Sequence, residues 1–150
     1  MAVSRALRRL LRIRILEEEQ ARLAMEAVLG ELHTLEHALA ATSQRDRRGR
    51  RLVEASVQTG ELPDRVAGAE ETRTADRFSL ALRPQIVEAA QDVTLLREEY
   101  LAKRVERRQA ETLIEDSEAR DALVADRRSQ QALDYWFRSR LHRAGEDVEP

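Results

Sequence analysis

Apolar residues recur with alternating spacings of four and three in two long segments of the chain. The first set is Ala21, Met25, Val28, Leu32, Leu35 and Leu39, and the second is Leu82, Ile86, Ala89, Val93, Leu96 and Tyr100. This heptad spacing is typical of a coiled-coil seam, which is narrower than the apolar stripe of a globular helix. The pattern therefore predicts two helices that pack against each other.

The segment between these two seams carries the signals of a chain reversal. Gly60 and Pro63 are the closest Gly and Pro pair in the chain, and Gly favours the end of a helix while Pro favours the start of the next. The sequence predicts helix one over about 3–58, a turn at about 59–63 and helix two over about 64–143. An acidic tail over 144–150 completes one helical hairpin spanning residues 1–150.

An antiparallel pairing links residues whose numbers have a constant sum. With a sum of 121, every seam residue of the first set meets one of the second, as Leu32 meets Ala89. Sums of 114 and 128 preserve the same heptad phase and stay open. Near the turn the pairing weakens, because Thr42 meets Ser79 and Asp46 meets Ala75.

Two further features of this pairing predict weak packing. Gly49 and Gly68 lie inside the predicted helices, where each glycine costs about 1 kcal/mol relative to alanine. Arg14 would meet Arg107 near the other end, which is unfavourable if both side chains are buried. We expect the tip, roughly residues 45–75, to be the most mobile part of the hairpin. We also expect the seam to shift phase near Glu17 to Glu19, with a looser stretch there.

The same register leaves the end of helix two without a partner helix. Met1 lies opposite Arg120, so residues 121–143 extend beyond helix one by about 35 Å. This segment contains Tyr135, Trp136 and Phe137, three of the five aromatic residues of the chain. The predicted fold is thus all-α: a long antiparallel two-helix coiled-coil hairpin in which helix two overhangs helix one. We interpret the overhang as a docking end for another molecule.

The composition excludes several fold and site classes. Charged residues make up 36% of the 150 residues and aromatic residues 3%, with 5 Gly, 3 Pro and no Cys. So few rings and turn residues disfavour a β-sandwich, a barrel or a Rossmann-type domain. The absence of Cys excludes disulfides and thiolate metal sites. Neither a signal peptide nor a membrane span is expected, because charged residues interrupt every apolar run.

Charge is unevenly distributed although the net charge is only −2. Residues 1–14 carry five Arg and no acid, and residues 45–51 carry five Arg with Asp46 alone. Nucleic-acid binding is disfavoured because no aromatic residue for base stacking lies within either patch. A membrane-surface helix over residues 3–16 is disfavoured because Leu7 and Leu11 belong to the seam and the segment has no Trp or Phe.

No pattern for catalysis or metal binding stands out. His33 and His37 lie one helical turn apart, but no further Cys or HExxH-like Glu completes a metal site. The chain has no Gly-rich phosphate loop, and carboxylates on an open helical hairpin lack a pocket that would shift their pKa. We expect no enzyme activity, no cofactor and no metal site.

The segment Arg127-Arg128-Ser129-Gln130-Gln131-Ala132-Leu133-Asp134-Tyr135-Trp136-Phe137-Arg138, together with the Arg-rich start and the overhang, resembles the injectisome branch of the FliJ/YscO/SctO family. These proteins are central stalks of type III secretion. The resemblance implies a bacterial cytoplasmic protein at the secretion apparatus. Its implied partners are the hexameric export ATPase, whose central hole receives the paired termini, the cytosolic ring of the export gate, and secretion chaperones.

Two sets of candidate contact residues follow from the residue pattern and the resemblance together. The predicted ATPase-binding set is Arg5, Arg8, Arg9, Arg12, Trp136, Phe137, Arg138 and Arg140. The predicted gate- or second-partner set is Arg45, Arg47, Arg48, Arg50, Arg51 and Phe78. The alternative function is a homo-oligomeric coiled-coil scaffold or adaptor, in which the overhang pairs with its own copy.

Overall fold

The computed structural model describes residues 5–146, with side chains described as far as Arg143. Helix α1 spans Arg5–Thr59 and helix α2 spans Leu62–Glu146. Only Gly60 and Glu61 within the described range are not helical. The two helices pack against each other as a hairpin, so the predicted all-α fold is confirmed.

Gly60 ends α1 in the left-handed region of backbone conformation, with a φ of 74°. Its N–H donates to the carbonyl oxygen of Ser56 at 2.9 Å, which satisfies a carbonyl that the helix end leaves free. Helix α2 begins at Leu62, two residues before the predicted start at about 64, and Pro63 fits its first turn, where no N–H is needed.

The predicted acidic tail is shorter than the sequence indicated. Helix α2 continues to Glu146, so the backbone of residues 144–146 is helical. The remaining tail residues, and the predicted first residues of helix one, lie outside the described range.

Contacts divide the chain into two compact units. We call residues 18–103 the turn unit, since it contains the hairpin turn. We call residues 1–17 with residues 104–150 the terminal unit, since it contains both ends of the chain. Each unit contains a segment of α1 and a segment of α2.

The register of the turn unit follows from the contacts around Gly49 and Gly68, which lie one turn apart on the two helices. A Cβ placed on Gly49 would lie 2.8 Å from Thr72 Oγ1, and one placed on Gly68 would lie 2.9 Å from Val53 Cγ2. The numbers of both pairs add to 121. The sum of 121 predicted from the heptad pattern is therefore confirmed in the turn unit, and the sums of 114 and 128 are excluded there.

The same glycines pack closely against each other, although each of them lowers the helix propensity of its own helix. Gly49 and Gly68 are buried, and a Cβ on either would approach the carbonyl oxygen of the other within 2.7 Å. The glycines therefore allow the two backbones to come closer than any side chain would permit. Close packing continues toward the turn at Ser56, which is only 1% exposed.

A layer of polar side chains lies one to two helical turns beyond Gly49, on the side away from the chain reversal. Thr42, Asp46, Ala75 and Ser79 together line a cavity of about 320 Å³, as the weak pairing in the sequence predicted. The Oδ2 atom of Asp46 accepts a hydrogen bond from Arg50 Nε at 2.9 Å, whereas the buried Oδ1 atom has no hydrogen-bond partner. This layer interrupts the apolar seam.

In the terminal unit, carboxylates surround the two arginines that the sequence predicted to clash. Arg14 forms ion pairs with Glu17 and with Glu106 of the other helix, and Arg107 pairs with Glu111. Hydrogen bonding by Glu17 raises the pKa of Arg14. Arg14 thus has two carboxylate partners, and Arg107 shares its partner with Arg108. The side chains of Arg14 and Arg107 stay partly exposed.

Candidate protein-docking site

The candidate site is the part of α2 that extends beyond its pairing with α1. We call residues 122–143 the overhang. The last seam positions of α2 in the terminal unit, Ile114, Ser117 and Asp121, are partly buried. From residue 122 to residue 143 every residue is exposed except Ser139, which is partly buried. The exposed stretch thus starts just beyond Arg120, the residue that the predicted register places opposite Met1 at the start of the chain.

The overhang carries a cluster of exposed aromatic rings. The rings of Trp136 and Phe137 meet edge to face, with centroids 5.0 Å apart and planes at 80°. The guanidinium of Arg140 lies 4.9 Å from the centroid of the Trp136 ring, within the range of a cation–π interaction. Trp136 is 48% exposed and Phe137 is 56% exposed, so both rings keep apolar area that a partner could cover.

Further apolar side chains extend this exposed surface. Leu133 is one turn before the aromatic pair and Leu141 is one turn after it, and both are exposed. Burying such a side chain releases about 1.5–3 kcal/mol relative to leaving it in water. Contiguous exposed apolar surface of this kind is typical of interaction sites.

All eight residues of the predicted ATPase-binding set lie in the terminal unit and are exposed. Arg5, Arg8, Arg9 and Arg12 lie in the first two turns of α1. Trp136, Phe137, Arg138 and Arg140 lie near the end of α2. Both halves of the set belong to one compact unit. The register places Arg5 opposite Asp116, 20 residues before Trp136, so the two halves lie about 30 Å apart along α2.

The predicted gate- or second-partner set lies in the turn unit, and its six residues are exposed. Two of its arginines are held by carboxylates: Arg45 Nε lies 2.6 Å from Glu71 Oε2 on the other helix, and Arg50 pairs with Asp46. Hydrogen bonding by Arg45 lowers the pKa of Glu71, and the same contact raises the pKa of Arg45. Arg47, Arg48, Arg51 and Phe78 complete the set.

One apolar surface in the turn unit was missed by the sequence reasoning. Leu62, Pro63 and Val66 line a shallow cavity of about 730 Å³ beside the turn, and the nearby Val57 is 64% exposed. The spacing of Leu62 and Val66, one helical turn apart and outside the seam, was the available signal.

Within residues 5–146, no three side chains of His, Cys, Asp or Glu are grouped so that they could hold a metal ion. Neither of the two helices, over the part of the chain that is described, has a stretch apolar enough to cross a membrane.

No protein-family model, curated protein or solved structure matches this chain. The family resemblance therefore stays a prediction. The structure defines a two-helix hairpin with an exposed aromatic overhang.

Proposed function

We propose that this chain is a non-enzymatic central stalk of a type III secretion export apparatus, which couples a hexameric export ATPase to the export gate. The observation that carries the proposal is the exposure of Trp136 and Phe137 on the overhang. Among the described residues no helix covers these rings. A chain that keeps an aromatic pair exposed in this way is suited to binding a second protein.

The charge of the terminal unit supports an acidic binding partner. The start of α1 presents Arg5, Arg8, Arg9 and Arg12, and the overhang presents Arg138 and Arg140. Opposite charge on the partner would steer the encounter and raise the association rate. An acidic-lined central hole in the ATPase ring has this property.

In the proposed mechanism the terminal unit binds inside the ATPase ring, and asymmetry driven by ATP hydrolysis moves the bound hairpin. The turn unit, which contains the predicted second-partner set, contacts the cytosolic ring of the export gate. Secretion chaperones are further proposed partners. The location proposed for the protein is the bacterial cytoplasm at the secretion apparatus.

The proposal is tested by co-purification with a hexameric type III export ATPase from the organism that encodes this chain. The double variant Trp136→Ala, Phe137→Ala should abolish co-purification while the helical circular-dichroism signal stays unchanged. The matched control is Leu95→Ala, Leu101→Ala, which removes two exposed apolar side chains from the turn unit and should leave co-purification intact. If the double variant Trp136→Ala, Phe137→Ala co-purified with the ATPase as well as the wild-type chain, the proposal would be wrong.

The alternative function, a homo-oligomeric coiled-coil scaffold or adaptor, uses the same exposed overhang. In that function the overhang of one copy would pair with the overhang of another. Sedimentation equilibrium distinguishes the two functions, because a stalk should be monomeric in dilute solution, whereas a scaffold should be a dimer or larger.

A further inference from the structure

The exposed apolar residues of the overhang do not continue the seam of the hairpin. In the terminal unit the seam of α2 passes through Arg107, Ala110, Ile114, Ser117 and Asp121, all at least partly buried. Continuing the same spacing of three and four places Val124, Arg128, Gln131, Tyr135, Arg138 and His142 along that line. We call these six residues the seam side of the overhang.

The seam side is a poor surface for another coiled-coil helix. Its members Arg128, Gln131, Arg138 and His142 are charged or polar, whereas a coiled-coil seam requires apolar residues at nearly every position. A second copy of this chain that extended the seam would have to bury these groups without the partners that water now supplies. Self-pairing along this line is therefore unfavourable.

The aromatic cluster lies on the other side of the helix. Phe137 follows Tyr135 by two residues, which rotates its side chain by about 200° around the axis. The positions facing away from the seam in the last turns are Leu133, Trp136, Phe137, Arg140 and Arg143. We call these five residues the outer face. All five are exposed.

The spacing of the outer face is that of a helix that binds in a groove. Leu133, Trp136 and Phe137 occupy positions i, i+3 and i+4, the spacing with which an amphipathic helix inserts its apolar side into an apolar groove. Leu141 extends the same surface at its edge. Trp and Arg are also among the residues that contribute most to binding at protein interfaces.

The charge on the outer face defines the rim of that groove. Arg140 lies over the Trp136 ring and Arg143 follows one turn later. None of the five outer-face residues is acidic, and the carboxylate of Asp134 lies at the edge of the face, on the side of Leu141. A groove with carboxylates at its rim would pair with both guanidinium groups. Arg138, by contrast, lies on the seam side.

We propose that the overhang binds the export ATPase through its outer face, inserting Leu133, Trp136 and Phe137 into an apolar groove of the ATPase whose carboxylates pair with Arg140 and Arg143. This inference rests on the proposed function. It assigns the contact to one side of one helix and gives the chemistry of the surface that receives it.

The test is titration of the purified export ATPase with full-length chain, in which matched substitutions compare the two sides of the overhang. Phe137→Ala on the outer face is matched by Tyr135→Ala on the seam side, and Arg140→Glu is matched by Arg128→Glu. We expect the outer-face variants to weaken binding about tenfold each and the seam-side variants to stay within about twofold of wild type. Circular dichroism should show the same helicity for all four variants, because all four positions are exposed.

Ionic strength gives a second readout. The loss caused by Arg140→Glu should shrink as salt is raised, because it arises from an ion pair that salt screens, whereas the loss caused by Phe137→Ala should not.

Two outcomes would overturn the inference, and they differ in what they leave standing. If the seam-side variants weaken binding and the outer-face variants do not, the outer-face assignment is wrong while the stalk function stands. If the wild-type chain does not bind the ATPase at all, the proposed function fails and the inference fails with it. A dimer of the chain alone that Phe137→Ala dissociates would assign the outer face to a second copy.

Discussion

Gly49 provides a residue-scale test of how the two helices pack in the turn unit. In Gly49→Ala the new Cβ would lie 2.7 Å from the carbonyl oxygen of Gly68, so the helices would have to move apart. Overpacking of this kind costs about 1–3 kcal/mol, which exceeds or cancels the gain of about 1 kcal/mol in helix propensity. We expect no gain in the free energy of unfolding, measured with urea, and a loss of up to about 2 kcal/mol.

Gly30 is the matched control for this substitution. It lies in the same helix with no atom within 4 Å of an added Cβ, so Gly30→Ala should raise the free energy of unfolding by about 1 kcal/mol. The propensity gain is common to both variants, and the difference between them isolates the steric penalty. Equal stabilisation by both substitutions would show that the close glycine contact is wrong.

The ion pair between Arg45 and Glu71 makes a second residue-scale prediction, on pH dependence. Arg45 holds the pKa of Glu71 below its ordinary value of 4.5. A carboxyl group with a lowered folded-state pKa stabilises the fold above its unfolded pKa, and that stability is lost as pH falls through the folded value. Glu71→Gln should therefore lower the melting temperature slightly at pH 7, and the difference from wild type should vanish in acid.

The adjacent Glu70 supplies the control for this measurement. Its side chain is 65% exposed and lies 3.9 Å from Arg73 of the same helix, so it makes no interhelical contact of the kind that Glu71 makes. Glu70→Gln should change the melting temperature less than Glu71→Gln at pH 7. A difference between Glu71→Gln and wild type that persists unchanged at pH 2 would contradict the assignment.

At the scale of the element, the polar layer of the turn unit departs from the seam around it. Asp46 occupies a seam position opposite Ala75, which is 1% exposed, and one of its carboxylate oxygens is buried without a hydrogen bond. Elsewhere in the same unit the register sets Leu32 opposite Ala89, and both are buried. A leucine can therefore be packed opposite an alanine in this seam, so a leucine at position 46 should fit opposite Ala75.

Asp46→Leu should consequently stabilise the hairpin. The substitution removes an unsatisfied buried oxygen, which costs about 1–3 kcal/mol, and gives up an i,i+4 pair with Arg50 worth about 0.3–0.5 kcal/mol. We expect the urea midpoint to rise, by about 1–2 kcal/mol in the free energy of unfolding. Asp76→Leu at an exposed position of the other helix should add only the difference in helix propensity, about 0.5 kcal/mol. A fall in the midpoint of Asp46→Leu would reject the reasoning.

Seam spacing predicted the helices, and their register to within whole heptads, because both depend on which side of each helix is apolar. Gly60 and Pro63 predicted the reversal because backbone conformation at a turn is a local property. Neither the glycine contact nor the carboxylates around Arg14 could be predicted in this way. The first depends on the distance between two backbones, and the second on the side-chain rotamers of residues from two helices.

One part of the candidate site could be predicted from the sequence and another part could not. The overhang could be predicted from the position of the turn, since it is the length of α2 left over after pairing. Its two sides could not be separated until the burial pattern through Asp121 set the phase of the seam. That phase places Trp136 and Phe137 on one side and Arg138 on the other, although the three residues are consecutive.

For the whole molecule, the stalk and scaffold functions predict different oligomeric states. The seam side of the overhang contains Arg128 and Arg138, so two copies that continued the seam together would bring like charges to the interface between them. We therefore expect the chain alone to sediment as a monomer of 17.2 kDa at micromolar concentration. A dimer that persists on dilution would favour the scaffold.

The complex with the export ATPase should then have a fixed composition. A stalk bound in the central hole of a hexameric ring leaves space for one hairpin, so light scattering of the purified complex should give one chain for six ATPase subunits. Six chains bound per ring would mean that each subunit offers its own groove on the outside of the ring. The contact chemistry of the outer face would then survive, and the central position proposed for the stalk would not.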